Sequence, residues 1–522
     1  MTNLHKQKLE NLLEARFEYD VHTTLSKLPQ PESFKDMSKA TERVIKAINN
    51  DETITIVGDY DVDGVISTTI MVEFFEKIDK TINWIVPNRF KHGYGLSPKI
   101  IQNINKGLLI TVDNGITAHE SATILKKKAI DLIITDHHTT PENLPKCFAI
   151  INPKQKECNF AYENICGAFV AWYFCASINK KLETNIDMTS FLDLVAIATI
   201  ADMMPMKDIN KTLVRYGLNK LANSKREAIK LFKTHLNKNI IDEVDVGFGI
   251  APILNSAGRL DDATIVVKLL LSKDSKKSYE MFEYLINLNN KRKTIQQDTY
   301  KNAKSKIDNN DNIIVVASES YHEGVVGIVA SMLADNFNKP AFVFNIKNGL
   351  AKGSARTSNN IDLYNHINSV KEHTKGFGGH KAAAGVVVDI NKLEEFKKNI
   401  NKLSSNQTKS KIQTKYLMKL RIDDIDKELF DIIERYRPYG IENEHPIFLF
   451  EKETIISHRY IGKNNDHQKL VLDFGVELLA FYNDTKIDTN NTISFTASVS
   501  KNIFQDNISY NLILKRFIND KI

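Results

Sequence analysis

Residues 53–64, Thr-Ile-Thr-Ile-Val-Gly-Asp-Tyr-Asp-Val-Asp-Gly, run a β-branched strand straight into three carboxylates on alternate positions, Asp59, Asp61 and Asp63. Like charges that close repel one another, so the turn calls for a cation or for strong hydrogen bonding. A calcium EF-hand loop opens with the same D-x-D-x-D-G spacing. It needs a bidentate Glu at loop position 12, where this chain has Ile70, and it needs a helix where a strand precedes. The plain alternative is a solvated strand-to-helix turn with Asp59 as a cap.

Working outward, the apolar runs INWIVP (82–87), LLITVD (108–113) and DLIITD (131–136) alternate with amphipathic segments. That is the pattern of a parallel sheet with crossover helices. Ligands collect at the carboxyl ends of strands in open α/β sheets. The turns Thr111-Val112-Asp113-Asn114-Gly115 and Thr135-Asp136-His137-His138 therefore belong to the same rim as Asp59, Asp61 and Asp63. A further acid, Asp202 in IATIADMMP, follows an apolar helical run and otherwise reads as a helix-end cap. His137 and His138, taken alone, would be a pair of satisfied histidines. Carboxylates with imidazole favour Mn²⁺ or Mg²⁺, whereas thiolate-rich sites favour zinc. A metal-dependent hydrolase is expected.

Segments beyond this sheet fill out a chain of 522 residues, long enough for three or four domains. Residues 165–222 read as mostly helical, and the stretch from Asp261 to about Lys306 has neither Pro nor Gly, so its later half is expected to be a helical connector. A second α/β unit starts at NIIVVA (312–317), continues through GVVGIVASMLADNF and PAFVFN (340–345), and closes with GFGGHKAAAGVVV. The polar run KLSSNQTKSK (402–411) is the expected linker. Beyond it, KLVLDF, VELLAFY, TISFTASVS and SYNLILKRF suggest a small antiparallel barrel or sandwich.

Composition narrows the class. An apolar share of 42% and a charged share of 26% exclude wholesale disorder. No apolar run is long enough to span a membrane, and the charged start lacks an apolar signal core, so no membrane partner and a cytoplasmic location are expected. Four cysteines without a C-x-x-C pair make no disulfide framework and fit reduced cytosol. A net charge of +6 permits a nucleic-acid partner without requiring one.

Two further patterns point to phosphate and bases. Gly353-Ser354-Ala355-Arg356 and Gly376-Phe377-Gly378-Gly379-His380 suit close approach of backbone N–H groups to phosphate, with Arg356 as a bidentate fork. The alternative is turns that need positive φ. Near the C-terminus Arg435, Arg437, Lys463 and Lys469 interleave with Tyr436, Tyr439, Phe474, Phe481 and Tyr482. Charges that follow a backbone and rings that stack on bases are how oligonucleotide-binding barrels hold single strands.

GDYDVDG, VDNG, TDHH and IADMMP, in this order, resemble the motif series of the DHH phosphoesterase family. VPNRF (86–90), NSAGR (255–259), YHEGVVGIVASMLA (321–334), GSARTS (353–358) and GFGGHKAAAG (376–385) extend the resemblance to its single-strand-specific 5′→3′ DNA exonuclease branch, from about residue 35 onward. The resemblance implies a parallel-sheet DHH domain with an N-terminal extension (1–265), a connecting helix (266–308), a second α/β, DHH-associated substrate-binding domain (309–402) and an OB-like nucleic-acid-binding β-barrel (412–522).

By the same resemblance Asp61, Asp63, Asp113, His137 and Asp202 would be metal ligands, with Asp113 bridging if two ions bind. His138 would face the scissile phosphate and Asp59 would support the metal shell. Arg89, Arg259, Ser354 and Arg356 would grip the 5′-terminal phosphate, and His380 would contact substrate. Many members have a His four residues before the acid of the first turn, where this chain has Val57, so one or two Mn²⁺ or Mg²⁺ ions are both compatible.

The implied activity is metal-dependent hydrolysis of single-stranded DNA to 5′-mononucleotides in recombination and repair, with a helicase and a single-strand-binding protein as partners. Two rivals differ in testable ways. A phosphodiesterase of short oligonucleotides or cyclic dinucleotides would not need the hundred residues after the linker. A non-catalytic single-strand-binding scaffold would have lost metal acids that are all present here.

Overall fold

The computed structural model describes residues 3–308, 310–358, 361–403, 416–462, 465–481, 483, 487, 492–504 and 507–518. Most of the expected linker, together with Lys463 and Tyr482, lies outside the described residues.

Five parallel strands form the first sheet: β1 Ile54–Val57, β2 Asn83–Ile85, β3 Leu108–Val112, β4 Asp131–Thr135 and β5 Ala149–Ile151, in the order β2-β1-β3-β4-β5. β1, β3 and β5 are buried throughout, as a sheet covered on both faces requires. Helices α2 (Met37–Asn49), α3 (Val62–Lys77), α5 (Gly167–Leu182) and α6 (Leu192–Ala201) pack one face. α4 (His119–Lys127) and the segment around Leu96–Ile101 cover the other. After β1 the chain moves to β2 on one side and then crosses to β3 on the other. The sheet therefore switches direction between β1 and β3, and a crevice opens at their carboxyl ends. Asp59 and Asp61 follow one of these strands and Asp113 the other.

Helix α7 (Ala251–Leu260) and the 31-residue α8 (Ser275–Ser305) lead out of this domain. At 1.5 Å per residue α8 is roughly 46 Å long. Its N-terminus is held by Asp274, whose carboxylate accepts from the N–H groups of Lys276 and Lys277.

The second sheet has the order β6-β7-β8-β10-β9. β6 (Ile314–Ser318) and β7 (Ala341–Lys347) are parallel, while β8 (Leu350–Arg356), β9 (Gly376–Gly379) and β10 (Ala383–Asp389) are antiparallel to their neighbours. α9 (Val326–Phe337) packs against β7 and β8. Gly353 does not belong to a phosphate-cradling loop. It sits mid-strand in β8, paired with Phe344 on one side and Val386 on the other, where its backbone groups serve the sheet. A Cβ there would lie 2.5 Å from the Phe344 ring, which accounts for the glycine.

The third unit is a closed barrel. β12 (Phe448–Ile461), β13 (His467–Leu472), β14 (Glu477–Phe481), β16 (Asn507–Phe517) and β15 (Thr492–Phe504) pair in turn, and β12 pairs with β15 to close the ring; the short β11 (Met418–Lys419) adds to β12. Helix α10 (Lys427–Arg435) plugs one side through Leu429, Phe430, Ile432 and Ile433. The barrel core also takes in Leu9 and Leu13 of α1 (Asn3–Glu14). Lys6 pairs with Glu428 and Glu10 with Arg435, so the N-terminal helix is clasped to the C-terminal unit. Among the described residues no helix is long and apolar enough to cross a membrane, and the four cysteines are free.

Candidate metal centre and substrate cleft

Each acidic residue at the rim is placed by the end of a secondary-structure element. Asp61, not Asp59, caps α3, its carboxylate accepting from the Gly64 N–H at 3.0 Å. Asp63 lies in the first turn of the same helix and points at the N-terminus of α5, where the N–H groups of Gly167 and Ala168 donate to its two oxygens at 2.5 and 2.7 Å. Exposed N–H groups and the helix dipole make that end a natural seat for a carboxylate. Asp113 adopts φ 61°, a left-handed conformation uncommon outside glycine. Its carboxylate packs against Gly167, where a Cβ would lie 2.5 Å away.

These residues converge on His137. Its Nε2 is 3.1 Å from Asp113 Oδ1 and 3.6 Å from both Asp63 Oδ2 and Asp202 Oδ2. Three overlapping groups have ligand atoms within 4.8 Å of one another: Asp63, His137 and Asp202; Asp113, His137 and His138; and Asp59, Asp61 and Asp113. Asp113 belongs to two of them, the position a bridging carboxylate would occupy.

Carboxylates crowd this cluster. Burial, followed by the charges of Asp63 and Asp61, pushes the Asp113 carboxyl well above the usual range. Burial and the neighbouring Asp61 do the same to Asp59. Asp63 is pushed up to about 6 by burial and by Asp61, against the pull of its two backbone hydrogen bonds. Burial, then the charge of His138, holds the His137 imidazole down at about 3, neutral and ready to be a ligand. Asp113 Oδ1 and Asp202 Oδ2 are buried without a hydrogen-bond partner. Orphaned carboxylate oxygens around a neutral imidazole fit a divalent cation with oxygen and nitrogen ligands.

Asp136, unassigned in the sequence reading, has a distinct place. Its Oδ1 accepts from the backbone N–H groups of His137 and His138 and from His138 Nδ1 at 2.7 Å, while Oδ2 accepts from the Ile116 N–H. Burial opposes its charge, but the His138 bond, the charges of His138 and His137 and a backbone hydrogen bond together outweigh this and hold its carboxyl below the usual range. Burial also opposes the His138 charge, and the Asp136 bond together with the charges of Asp136, Asp202 and Asp61 raises that imidazole to about 9. Asp136 thus fixes the ring with Nδ1 inward. Asn114, also unassigned, ties the two strand ends together by donating to the carbonyls of Val57 and Val112.

Arg89 and Arg259 belong to the same domain as the cluster, and Arg356 comes from the second α/β unit. The NSAGR segment of α7 is the junction: Asn255 Oδ1 accepts from the Val62 N–H, and a Cβ on Gly258 would strike the Tyr60 carbonyl oxygen at 2.1 Å. Arg259 donates to the Gly324 carbonyl of the second α/β unit. Arg89 stacks over the Tyr60 ring at 5.3 Å. Arg356 and Ser354 come together beside Gly327 at the start of α9, a helix N-terminus suited to an anion. His380 is exposed on the turn after β9, at the sheet end where Ala383 pairs with Arg356, and no side-chain hydrogen bond links it to the Asp–His cluster among the described residues.

The C-terminal basic and aromatic residues separate into two groups. Arg435 pairs with Glu10, Arg437 with Asp242, Glu243 and Glu434, and Lys469 with Glu477. Tyr436 stacks on Phe17, and Tyr439 is buried with its hydroxyl donating to the Ile433 carbonyl. Arg435, Tyr436 and Arg437 thus serve contacts with other parts of the chain, Tyr439 is core and Lys469 pairs across neighbouring barrel strands, so these residues are engaged within the protein where the sequence suggested strand-holding groups. Phe474 and Phe481 remain available at 80% and 50% exposure, and Tyr460, missed in the sequence, joins them at 49%.

The description "DHH family, N-terminal domain" matches residues 53–199, the DHHA1 domain matches 310–406 and the RecJ OB domain matches 418–516. The chain is 33% identical to the single-stranded-DNA-specific exonuclease RecJ of Bacillus subtilis over 87% of its own length, and it spans 58% of that protein. It is 32% identical to the protein of the same name from Haemophilus influenzae over 87% of this chain and 84% of that one. The crystal structure of RecJ in complex with Mn²⁺ from Thermus thermophilus shares the fold, with a TM-score of 0.86 at 24% identity over 100% of this chain and 79% of that one. A structure of exonuclease RecJ bound to manganese aligns with a TM-score of 0.63 at 28% identity over 72% and 96%.

Proposed function

The chain belongs to the RecJ family of DHH phosphoesterases, and from that premise we propose that it is a metal-dependent exonuclease, degrading single-stranded DNA from the 5′ end to 5′-mononucleotides in recombination and repair. The observation that carries this proposal is the convergence of Asp63, Asp113 and Asp202 on His137, with Arg89 seated over the adjoining Tyr60.

Asp61, Asp63, Asp113, His137 and Asp202 would hold the Mn²⁺ or Mg²⁺ that relatives carry, with Asp59 supporting them. A bound divalent ion lowers the pKa of a water and offsets charge on the phosphate. His138, oriented by Asp136, presents Nε2 toward the scissile phosphodiester. Arg89, Ser354 and Arg356 take the 5′-terminal phosphate at the start of α9, and this grip sets the polarity: a chain whose terminal phosphate fills that seat places its first phosphodiester at the cluster. His380 lines the same end of the sheet. The exposed barrel aromatics hold the strand further along. The protein acts in the cytosol, on strands opened by a helicase and coated by a single-strand-binding protein.

Single-stranded DNA labelled at either end, incubated with Mn²⁺, Mg²⁺ or a chelator, tests this proposal. Early release of 5′-labelled mononucleotide, abolished by chelator, is expected. Early release of a 3′ label would overturn the polarity, and cleavage confined to dinucleotides would favour the short-substrate rival.

A further inference from the structure

The acids of the cluster differ in what holds them. Asp61 accepts from the Gly64 N–H, Asp63 accepts from the N–H groups of Gly167 and Ala168, and Asp113 is packed against Gly167. Asp202 has no such anchor: its Oδ2 is buried without a hydrogen-bond partner, with His137 Nε2 3.6 Å away. It directly follows the last residue of α6, so its place is set by where that helix ends. The sequence of α6, Leu-Asp-Leu-Val-Ala-Ile-Ala-Thr-Ile-Ala, is apolar on nearly every side. Apolar burial is non-directional, so it keeps such a helix in the core but fixes its position along its own axis only weakly.

The single charged residue of α6 supplies a directional contact. Asp193, in the first turn, is buried, and its Oδ2 accepts from Arg226 Nε at 3.0 Å and from Ser224 Oγ at 2.8 Å. Thr199, the other polar side chain, donates to the Val195 carbonyl of the same helix and meets Cys166 Sγ at 3.5 Å. The Arg226 guanidinium also donates through Nη1 to Glu73 Oε2 at 2.6 Å, and its side chain is only 14% exposed. Glu73 lies towards the C-terminal end of α3, the helix whose first turn carries Asp63. α3 and α6 therefore run antiparallel between two meeting points. At one, Asp63 and Asp202 face His137; at the other, Glu73 and Asp193 share Arg226. At 1.5 Å per residue the arms from Asp63 to Glu73 and from Asp193 to Asp202 are about 15 and 14 Å long, so they match. Buried ion pairs add little net stability compared with well-packed apolar groups. What a guanidinium held by two carboxylates adds is a fixed distance and angle between them.

We propose that Arg226 is a positioning residue for the metal centre: by tying Asp193 to Glu73 it sets the register of α6 against α3, and with it the distance of Asp202 from Asp63 and His137. This rests on the metal-dependent reading above and adds to it a residue that touches neither ion nor substrate.

The test titrates the full-length chain with Mn²⁺, reading the paramagnetic resonance signal of the free ion, and follows hydrolysis of single-stranded DNA over the same range. Arg226→Gln is compared with Arg226→Lys, Asp193→Asn and Arg43→Gln. Arg43 is the control: it too is a buried guanidinium bridging two carboxylates of this domain, Glu52 and Asp131, but Asp131 opens β4 at the end of the sheet opposite the rim. Arg226→Gln should bind Mn²⁺ about tenfold to a hundredfold more weakly than wild type, the range expected when the support behind metal ligands is lost. Its loss of hydrolysis should shrink as Mn²⁺ is raised. Arg226→Lys, which keeps a cation between the carboxylates, should recover part of the affinity. Asp193→Asn, which breaks the α6 end of the bridge while Arg226 keeps Glu73, should lose affinity as well. Arg43→Gln should melt earlier with its Mn²⁺ affinity unchanged. Wild-type affinity in folded Arg226→Gln overturns the proposal, and so does an equal loss in Arg43→Gln, which would mark a general softening of the domain. If Arg226→Gln does not fold, Asp193→Asn decides by the same criterion. A wild-type chain that binds no Mn²⁺ would instead bring down the metal assignment itself.

Discussion

At Asp113 a strained backbone, a glycine neighbour and two overlapping ligand groups meet in one side chain. Asn tolerates the left-handed conformation, so Asp113→Asn should fold while its amide removes one negative oxygen from the shared position. We expect hydrolysis to fall roughly a hundredfold or more, with single-strand binding retained. Turnover above a tenth of wild type at saturating Mn²⁺ would refute the bridging role. Arg356→Ala should reduce cleavage of 5′-phosphorylated ends about tenfold more than of 5′-hydroxyl ends, because the lost contact is a charge-assisted bond to the terminal phosphate; equal losses would remove it from that seat. Asp113 and His137 were legible in the sequence because acids at strand ends advertise a ligand. Asp136 was not, since nothing in the order Thr-Asp-His-His tells which members face the cation and which hold another in place. Only the bonds to His138 and Ile116 separate the two.

Elements were legible in proportion to their apolar runs. β1, β3 and β4 stood out as β-branched stretches, whereas β5 has three residues and no flanking pattern. β8 reads LAKGSAR, and its small and charged residues hid a strand whose inward positions are Ala351, Gly353 and Ala355 because Phe344 and its neighbours fill the core. Arg437 and Tyr439 differ from their expected role for a different reason. Basic and aromatic residues look alike whether they face DNA or another part of the protein, and here they face the protein. Arg437 and the Tyr439 N–H engage Glu243, and the Met206 N–H donates to the Ile441 carbonyl. His445 in this segment is held at about 4 by burial, with the charges of Arg437, Lys515 and Arg16 adding to it. The sign follows: between pH 6.5 and 4 the unfolded chain binds a proton that the folded one refuses, so stability is lost as pH falls through that window, by up to about 3 kcal/mol. Thermal melts at pH 7.5 and 5.0 should show a drop that His445→Gln reduces. An unchanged drop in the variant would assign it to other groups.

On the scale of the molecule, the barrel is joined to the rest through the Arg437 segment and through α1. Removing residues after about 403 should leave cleavage of very short strands nearly intact while weakening capture of long ones, at roughly 1–3 kcal/mol per lost base stack. A chain trimmed only at that end would strand Leu9 and Leu13 in water, so the soluble version should also lack α1. Comparing a five-nucleotide with a fifty-nucleotide substrate decides the matter: equal effects on both would mean that the barrel does not hold the strand. The clasp also has a consequence in time. Lys6 and Glu428 are 422 residues apart, and at about 5–20 residues per second a ribosome needs roughly 20–85 seconds to travel between them. Throughout that interval the nascent helix carries two leucines with no partner, a natural handle for chaperones, and it is sheltered only once the barrel has emerged.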